Sequence, residues 1–297
     1  MPSIQVAPET YSLSPLPGIL SRTGIVIPTL NAEKYLVRSL PVLLRQGLSR
    51  SHILVIDSSS DDRTREVAAK FGVRLEVIPR REFNHGGTRR LASSFMAHQD
   101  FLVFMTQDAI PASSDSVERL MSAFEDADVA VAYGRQLPRP EAGAIERHGR
   151  HYNYPERSEK RSLEDRTRLG ARTLFCSNSF AAYRRTALDA IGSFPDALFA
   201  EDQVVSGRLL IEGWKLAYQA DARVYHSHGY SMAEEFQRYF DIGVFHARNS
   251  WIIEKFGHVE GEGFKFVKSE MQYLARQEPL SILSAFVRSV HKYSAYH

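Results

Sequence analysis

The chain of 297 residues has a single cysteine, Cys176, so no disulfide can form within it. That fits a reducing compartment and leaves stability to a hydrophobic core. Cys176 itself reads as a small buried residue rather than a nucleophile. No apolar run approaches the roughly 18 residues of a membrane span. The first 21 residues hold Pro and Ser and lack a basic start followed by an apolar stretch, so no secretion signal is expected there. A soluble, cytoplasmic protein is expected. No charge sign dominates: the net charge is +2, with 24% charged residues. This balance excludes wholesale nucleic-acid binding. Repeats and low-complexity tracts are absent. With 43% hydrophobic residues, the chain can bury a large core, and its length suits one large domain or a domain with an appendage.

What is present is an alternation. Residues 24–28, Gly-Ile-Val-Ile-Pro, read as a short buried strand stopped by proline. Asn31 reads as a helix cap. Leu36, Leu40, Leu43 and Leu44 then share one helical face, with Pro41 kinking or shortening that helix. The apolar run 53–56 predicts a strand ending in Asp57, followed by a helix at about 63–71. Residues 74–78 predict a third strand, 88–97 a helix and 101–105 a fourth strand. Val117, Leu120, Met121 and Phe124 fall at the i, i+3, i+4, i+7 spacing of an amphipathic helix. Residues 129–133 are again strand-like. Such alternation implies right-handed βαβ units and a mostly parallel central sheet flanked by helices, an α/β fold. Ligands of these sheets bind beyond the carboxyl ends of the strands, which draws attention to Thr29, Asp57 and Asp108.

The second half is less regular. Residues 138–172 are polar and basic, with Arg139, Arg147, Arg150, Arg157, Lys160, Arg161, Arg166, Arg168 and Arg172. They read either as a flexible acceptor loop or as a solvated surface. Residues 174–183 predict a strand pair broken near Asn178, and Thr186 reads as the cap of a short helix ending at Gly192. A helix is predicted over 202–212 and a strand over 214–219. Ser231 and Glu234 fit a capping box that opens a long helix through Trp251. Residues 281–293 are apolar with interspersed bases, an amphipathic tail.

Five segments carry candidate chemistry. Asp57, followed by Ser58-Ser59-Ser60-Asp61-Asp62, is either a turn-and-cap cluster or an acid that receives a base or ribose. In Asn84-His85-Gly86-Gly87-Thr88-Arg89-Arg90, two glycines precede a helix start with arginines in its first turn. Exposed N–H groups and guanidinium forks there suit a diphosphate; the alternative is a glycine turn with a solvated basic face. Arginine in a first turn also opposes the helix dipole and calls for a partner. Asp108 follows an apolar strand directly and is either a turn residue before Pro111 or an oxygen ligand for a hard cation on a diphosphate. Glu201 and Asp202 open a helix and either complement its dipole or supply a general base. His226 and His228 lie two apart after the apolar Val224-Tyr225, where an i, i+2 pair on a strand shares a face and one imidazole can bind metal.

In this order these segments resemble the family 2 glycosyltransferases, over about residues 23–230. The resemblance implies a GT-A, Rossmann-like fold. It divides the chain into a leader (1–22), a catalytic domain with nucleotide-binding (23–135) and acceptor/catalytic (136–230) halves, and a C-terminal helical extension (231–297). The opening Val26-Ile27-Pro28-Thr29-Leu30-Asn31 resembles the family's first strand and nucleotide loop. Asp57 matches the acid that reads the base. Thr106-Gln107-Asp108 matches the D-x-D motif, with Thr106 in place of its first acid and Asp108 on its metal-binding acid. Glu201-Asp202 matches the E-D pair, with Asp202 on the catalytic base. His226 or His228 falls where related enzymes place a further metal ligand. The segments 83–89, 106–109 and 226–228 are most similar to bacterial rhamnosyltransferases that use dTDP-L-rhamnose.

The resemblance therefore implies an inverting transferase that moves a sugar from a nucleotide-diphosphate donor to a glycan or lipid-linked acceptor in cell-surface polysaccharide synthesis. The donor is held by Pro28, Thr29, Asn31, Asp57, His85, Gly86, Arg89, Gln107 and Asp108. A divalent cation, Mg²⁺ or Mn²⁺, sits on Asp108 with His226 or His228. Arg89 or Arg90 helps neutralise the diphosphate, and Asp202, beside Glu201, takes the acceptor's proton. A lipid-linked acceptor would bring the basic stretch and the tail to the inner membrane face. A transferase using another UDP- or GDP-sugar and a non-catalytic nucleotide-sugar-binding module are the alternatives. A nucleotidyltransferase would want a glycine-rich basic loop after the first strand, where Pro28-Thr29-Leu30-Asn31 stands instead.

Overall fold

The computed structural model describes residues 18–257 and 261–296. Residues 1–17 of the expected leader lie outside them. The strands are β1 (Thr23–Thr29), β2 (Ile53–Asp57), β3 (Arg74–Val77), β4 (Phe101–Met105), β5 (Ile110–Pro111), β6 (Val129–Leu137), β7 (Glu159–Arg161), β8 (Phe180–Arg184) and β9 (Lys215–Tyr225). The helices are α1 (Glu33–Leu44), α2 (Thr64–Phe71), α3 (His85–Phe95), α4 (Ser116–Met121), α5 (Ala144–Asn153), α6 (Arg166–Leu169), α7 (Arg185–Ala190), α8 (Glu201–Ile211), α9 (Met232–Arg248), α10 (Ser250–Phe256), α11 (Glu262–Gln277) and α12 (Ile282–Tyr296).

All nine strands join one sheet in the order β3-β2-β1-β4-β8-β6-β9-β5, with β7 also paired to β9. β1, β2, β3 and β4 are mutually parallel. β8 runs antiparallel to both β4 and β6, and β6 is parallel to β9. Two reversals restore the direction, so β1, β2, β3, β4, β6 and β9 all point one way. Their carboxyl ends share one edge of the sheet, and the start of β8 lies at that same edge. The sheet is thus parallel in its first half and mixed in its second.

Both faces are covered, which is why β4 is buried at all five positions. Ile25, Ile27, Ile53, Val55, Val103 and Met105 pack on one face with Leu36, Leu40 and Leu43 of α1 and Val117, Leu120 and Met121 of α4. Val26, Leu54, Ile56, Leu102 and Phe104 pack on the other with Ala92 of α3 and Val204, Val205 and Leu209 of α8. Pro41 is accommodated inside α1. The capping box of Ser231 and Glu234 opens α9, which ends before Asn249 rather than running through Trp251.

Several local expectations are corrected. Asn31 does not cap α1; it adopts φ 53° and accepts from Asp61 N–H at 2.9 Å. Thr64 and Asp62 take the helix's first N–H groups instead, from Ala32 and Glu33. The pair predicted over 174–183 is one strand, β8, preceded by a 3-10 turn at Gly170–Leu174. α7 begins at Arg185, one residue before the expected cap Thr186. The basic stretch is neither a loop nor merely solvated: it forms α5, β7 and α6 and turns arginines inward. Arg161 is buried and donates to Tyr133 Oη at 2.7 Å and to the Phe175 carbonyl at 2.9 Å. A planar fork with five donors satisfies carbonyls and stacks on rings in a way lysine cannot.

Gly134 sits where β6 shifts register against β9. A Cβ there would lie 2.4 Å from the Ala222 carbonyl oxygen and 2.4 Å from the Phe180 ring. Because one obstacle is backbone, Gly134→Ala is expected to destabilise the protein by about 1–3 kcal/mol, read as a lower denaturation midpoint. An unchanged midpoint would contradict this packing.

Candidate active site

The shared edge opens into a cleft of about 550 Å³, a size usual for small-molecule sites. Its walls come from the ends of β1 (Pro28, Thr29), β4 (Thr106, Gln107, Asp108), β6 (Gln136) and β9 (His226, His228), from the segment before β8 (Ser177, Asn178) and from the start of α8 (Glu201, Asp202). His85 and Arg89 of α3 also reach it.

Asp108, His226 and His228 converge. His226 Nε2 lies 3.4 Å from Asp108 Oδ1, His228 Nε2 lies 3.5 Å from Asp108 Oδ2, and the two Nε2 atoms are 3.1 Å apart. Among the described residues these three form the one group of at least three His, Cys, Asp or Glu side chains able to hold a metal ion. The imidazoles lie beyond the end of β9, so their meeting owes nothing to strand alternation. Gln136 orients His226: its Oε1 already accepts from the donor-only Arg150, so His226 Nδ1, 2.9 Å away, must donate to it. That leaves the Nε2 lone pair free toward Asp108. Burial pushes His228 down to about 4 and also lowers His226, so both rings are neutral near pH 7. Burial alone would raise Asp108; in acid, where the imidazoles are protonated, the hydrogen bond and charge of His226 and then the charge of His228 outweigh that and hold it well below the usual carboxylate range. Arg139 donates to Asp108 Oδ2 at 3.0 Å and to its carbonyl at 3.1 Å.

Glu201 and Asp202 are adjacent on a helix, so their side chains point about 100° apart. They differ accordingly. Glu201 is buried against Arg89, with Nη1 to Oε1 at 2.8 Å, and Asn178 Nδ2 donates to the same oxygen at 2.8 Å. Asp202 faces the cleft and accepts from Asn178 N–H at 3.1 Å and Gln203 N–H at 2.9 Å. Burial, then the charge of Glu201, pushes Asp202 up to about 7. A carboxylate tuned to that range is suited to accept a proton at neutral pH.

The segment 83–90 does not form the glycine turn with exposed N–H groups expected before its helix. α3 starts at His85, so Gly86 and Gly87 lie within its first turn. Asn84 caps it by accepting Gly87 N–H at 2.9 Å, while Gly86 N–H donates to the Ala197 carbonyl at 3.0 Å. A Cβ on Gly86 would sit 1.8 Å from the Pro195 carbonyl oxygen. The glycine therefore serves close packing of α3 on the loop before α8. Arg89, 3% exposed, pairs with Glu201; because α3 starts at His85, it lies in the second turn and not the first-turn position expected from sequence. Removing one partner of such a pair typically costs about 3–5 kcal/mol. Arg90 donates to Asp196 and to the Phe194 carbonyl, both at 2.8 Å.

Asp57 is likewise turned inward. It is fully buried and accepts from Thr29 Oγ1 at 3.0 Å, Ser60 N–H at 2.9 Å and Ser60 Oγ. It organises the turn after β2 and does not line the cleft, whereas Ser58 next to it does. Asn31 and Gly86 also stand outside the cleft lining. Gln107 clamps the β1 loop, with Oε1 on Leu30 N–H at 2.8 Å and Nε2 on its carbonyl at 3.1 Å.

Sequence reasoning missed Gln136, Asn178 and Arg150 as site residues. Arg150 lines the cleft, stacks over Tyr154 at 5.8 Å and has Gln136 as its polar contact; the basic stretch was its only signal. Cys176 is buried, and burial pushes its thiol up to about 12, so it is no nucleophile.

Residues 24–192 match the model of Glycosyl transferase family 2. The chain is 43% identical over 274 residues to the O-antigen chain rhamnosyltransferase WbaN of Salmonella anatum, covering 92% of this chain and 87% of that protein. It is 42% identical to RfbN of Salmonella typhimurium, also an O-antigen chain rhamnosyltransferase, with the same coverage. Its fold is like that of the mannosyltransferase PcManGT from Pyrobaculum calidifontis, solved with GDP-Man and Mn²⁺, at TM-score 0.61 and 15% identity over 97% of this chain and 89% of that one.

Proposed function

The chain belongs to glycosyl transferase family 2, and from that premise we propose that it transfers L-rhamnose from dTDP-L-rhamnose, with inversion, to a glycan or lipid-linked acceptor in cell-surface polysaccharide synthesis. The observation that carries this reading is one cleft holding both the Asp108–His226–His228 group and an Asp202 carboxyl raised to about 7. The rhamnosyltransferase activity of the two Salmonella relatives supports the choice of donor.

The donor set fits a divalent cation. The two Nε2 atoms are 3.1 Å apart and each lies 3.4–3.5 Å from a different Asp108 oxygen, close enough for all three residues to reach one ion with bonds of about 2.1 Å. Two imidazoles with one carboxylate favour Mn²⁺ over Mg²⁺. When bound, the cation supplies positive charge to the departing diphosphate. The chain's own residues do the rest. Arg150 lines the cleft with no carboxylate partner among the described residues and adds charge at the diphosphate. Asp202 takes the proton of the acceptor hydroxyl as its oxygen bonds to the anomeric carbon. The bond from that carbon to the phosphate oxygen breaks, and its electron pair leaves with the nucleoside diphosphate. The aromatic residues Phe83, Tyr154, Phe175 and Phe199 line the cleft and offer apolar surface to a deoxysugar methyl group.

A lipid-linked acceptor would bring the enzyme to a membrane face. Leu283, Phe286, Val287 and Val290 are exposed at helical spacing along α12, after the almost fully exposed Leu280. Phe236 and Phe240 of the adjoining α9 are exposed as well. Residues 279–297 contain no acid and carry Arg288, His291 and Lys292. An exposed apolar stripe suits a bilayer interface; Arg288 and Lys292 are tied to Glu235 at 2.8 and 3.2 Å and face inward. No helix among the described residues is long and apolar enough to cross a membrane.

Asp202→Asn is expected to lower kcat by about 10²–10⁴-fold while keeping donor affinity; turnover at the wild-type rate would remove Asp202 from this role. In calorimetry with and without Mn²⁺, Asp108→Ala should lose the metal-dependent part of donor binding, and retention of that part would place the cation elsewhere. The protein should co-sediment with lipid vesicles, and Leu283→Glu with Phe286→Glu should abolish this. Unchanged sedimentation of that variant, or self-association in place of vesicle binding, would contradict the membrane assignment.

A further inference from the structure

We propose that Arg89 is a positioning residue for the proton-accepting Asp202, acting through Glu201 and Asn178. The proposal rests on the reading of Asp202 as general base and adds to it a residue that never meets the substrate's reacting atoms.

The geometry is a relay of fixed contacts. Arg89 Nη1 donates to the His85 carbonyl at 2.9 Å and pairs with Glu201 Oε1 at 2.8 Å. Asn178 Nδ2 meets that same oxygen at 2.8 Å, while its Oδ1 accepts from Tyr183 Oη at 2.7 Å. Both ends of the Asn178 side chain are therefore held, which fixes its main chain. That main-chain N–H is the one that donates to Asp202 Oδ2 at 3.1 Å. Ala200, before the two acids, is in the left-handed region at φ 55°, a conformation a non-glycine residue holds only when its surroundings enforce it. The Arg89–Glu201 pair, buried at both ends, ties α3 to the first residue of α8 and supplies such enforcement.

The same contacts set the charge around the base. The groups facing Asp202 are Glu201 on its own helix, Arg89 from α3, Tyr154 at the end of α5, Cys176 before β8 and Tyr183 within β8. His85 of α3 faces Glu201. Of these, Glu201 and Arg89 are the permanent charges, and they act in opposite senses: Glu201 raises Asp202 and Arg89 lowers it. Arg89 thereby keeps the glutamate that orders the site from making its neighbour too basic to be free at neutral pH.

The test is the acid limb of the pH profile of kcat/KM, where Asp202 must be ionised to act. Arg89→Met should move that limb upward and Glu201→Gln should move it downward, each by on the order of one pH unit. The double variant Arg89→Met/Glu201→Gln removes both charges together and avoids a buried unpaired ion. It should fold, return the limb toward the wild-type position and remain slower than wild type, because the relay to Asn178 is loosened. If Arg89→Met fails to fold, Glu201→Gln and the double variant still give the comparison. Limbs that stay at the wild-type pH in the folded variants, with only thermal stability reduced, would overturn the proposal and leave the pair a structural one. The parent reading fails differently: the acid limb would then persist with full turnover in Asp202→Asn.

Discussion

The reversal of β8 between β4 and β6 is the constraint on which the cleft depends. A strand running against its neighbours starts where they end. It brings Asn178, at its beginning, to the edge where β1, β4, β6 and β9 deliver Thr29, Asp108, Gln136 and His226. A parallel strand in the same place would present its start at the opposite edge, with no donor for Asp202. The usual rule that ligands sit beyond strand carboxyl ends holds here with one added part: an antiparallel strand contributes its amino end to the same site.

Around that edge, each buried charge is matched by a specific partner, and the matches divide the labour. Glu201 has Arg89 and Asn178 and is kept ionised and inert. Asp202 has two backbone N–H groups and no cation in contact, so burial raises it toward neutrality. Asp108, beside the two imidazoles, has the Arg139 guanidinium in contact and stays anionic. Three acids thus acquire three different properties from their neighbours, not from their own chemistry. Gln136 links two of the groups, fixing the His226 ring through Oε1 and reaching Ser177 Oγ through Nε2 at 2.9 Å.

Much of this was legible in the sequence where the signal was local. An apolar run stopped by a polar residue marked the ends of β1, β2 and β4, and Asp108 and the two histidines stood out for that reason, while Asp202 stood out as one of two acids opening a helix. The rest depended on partners far along the chain. Arg89 read as a phosphate ligand because nothing near it reveals Glu201. Gly86 and Gly87 argued for a turn on helix propensity, yet Asn84 caps a helix that includes them, and the closeness of Pro195 is invisible in sequence. Asp57 looked like a ligand because strand-end acids often are; Thr29 and Ser60 instead use its carboxylate within the fold. The direction of β8 could not be read, since periodicity carries no sign. The arginines of 139–172 looked like solvated surface because composition does not say which of them turn inward.

The account's central claim is that this cleft transfers rhamnose from its nucleotide donor. A transfer assay with the full chain, Mn²⁺ and a panel of dTDP-, UDP- and GDP-sugars, read by mass of the product formed on a lipid-linked glycan acceptor, addresses it directly. The account predicts a product heavier by one deoxyhexose with dTDP-L-rhamnose and none without added metal. Product from a UDP- or GDP-sugar instead, or donor binding with no transfer from any member of the panel, would contradict it.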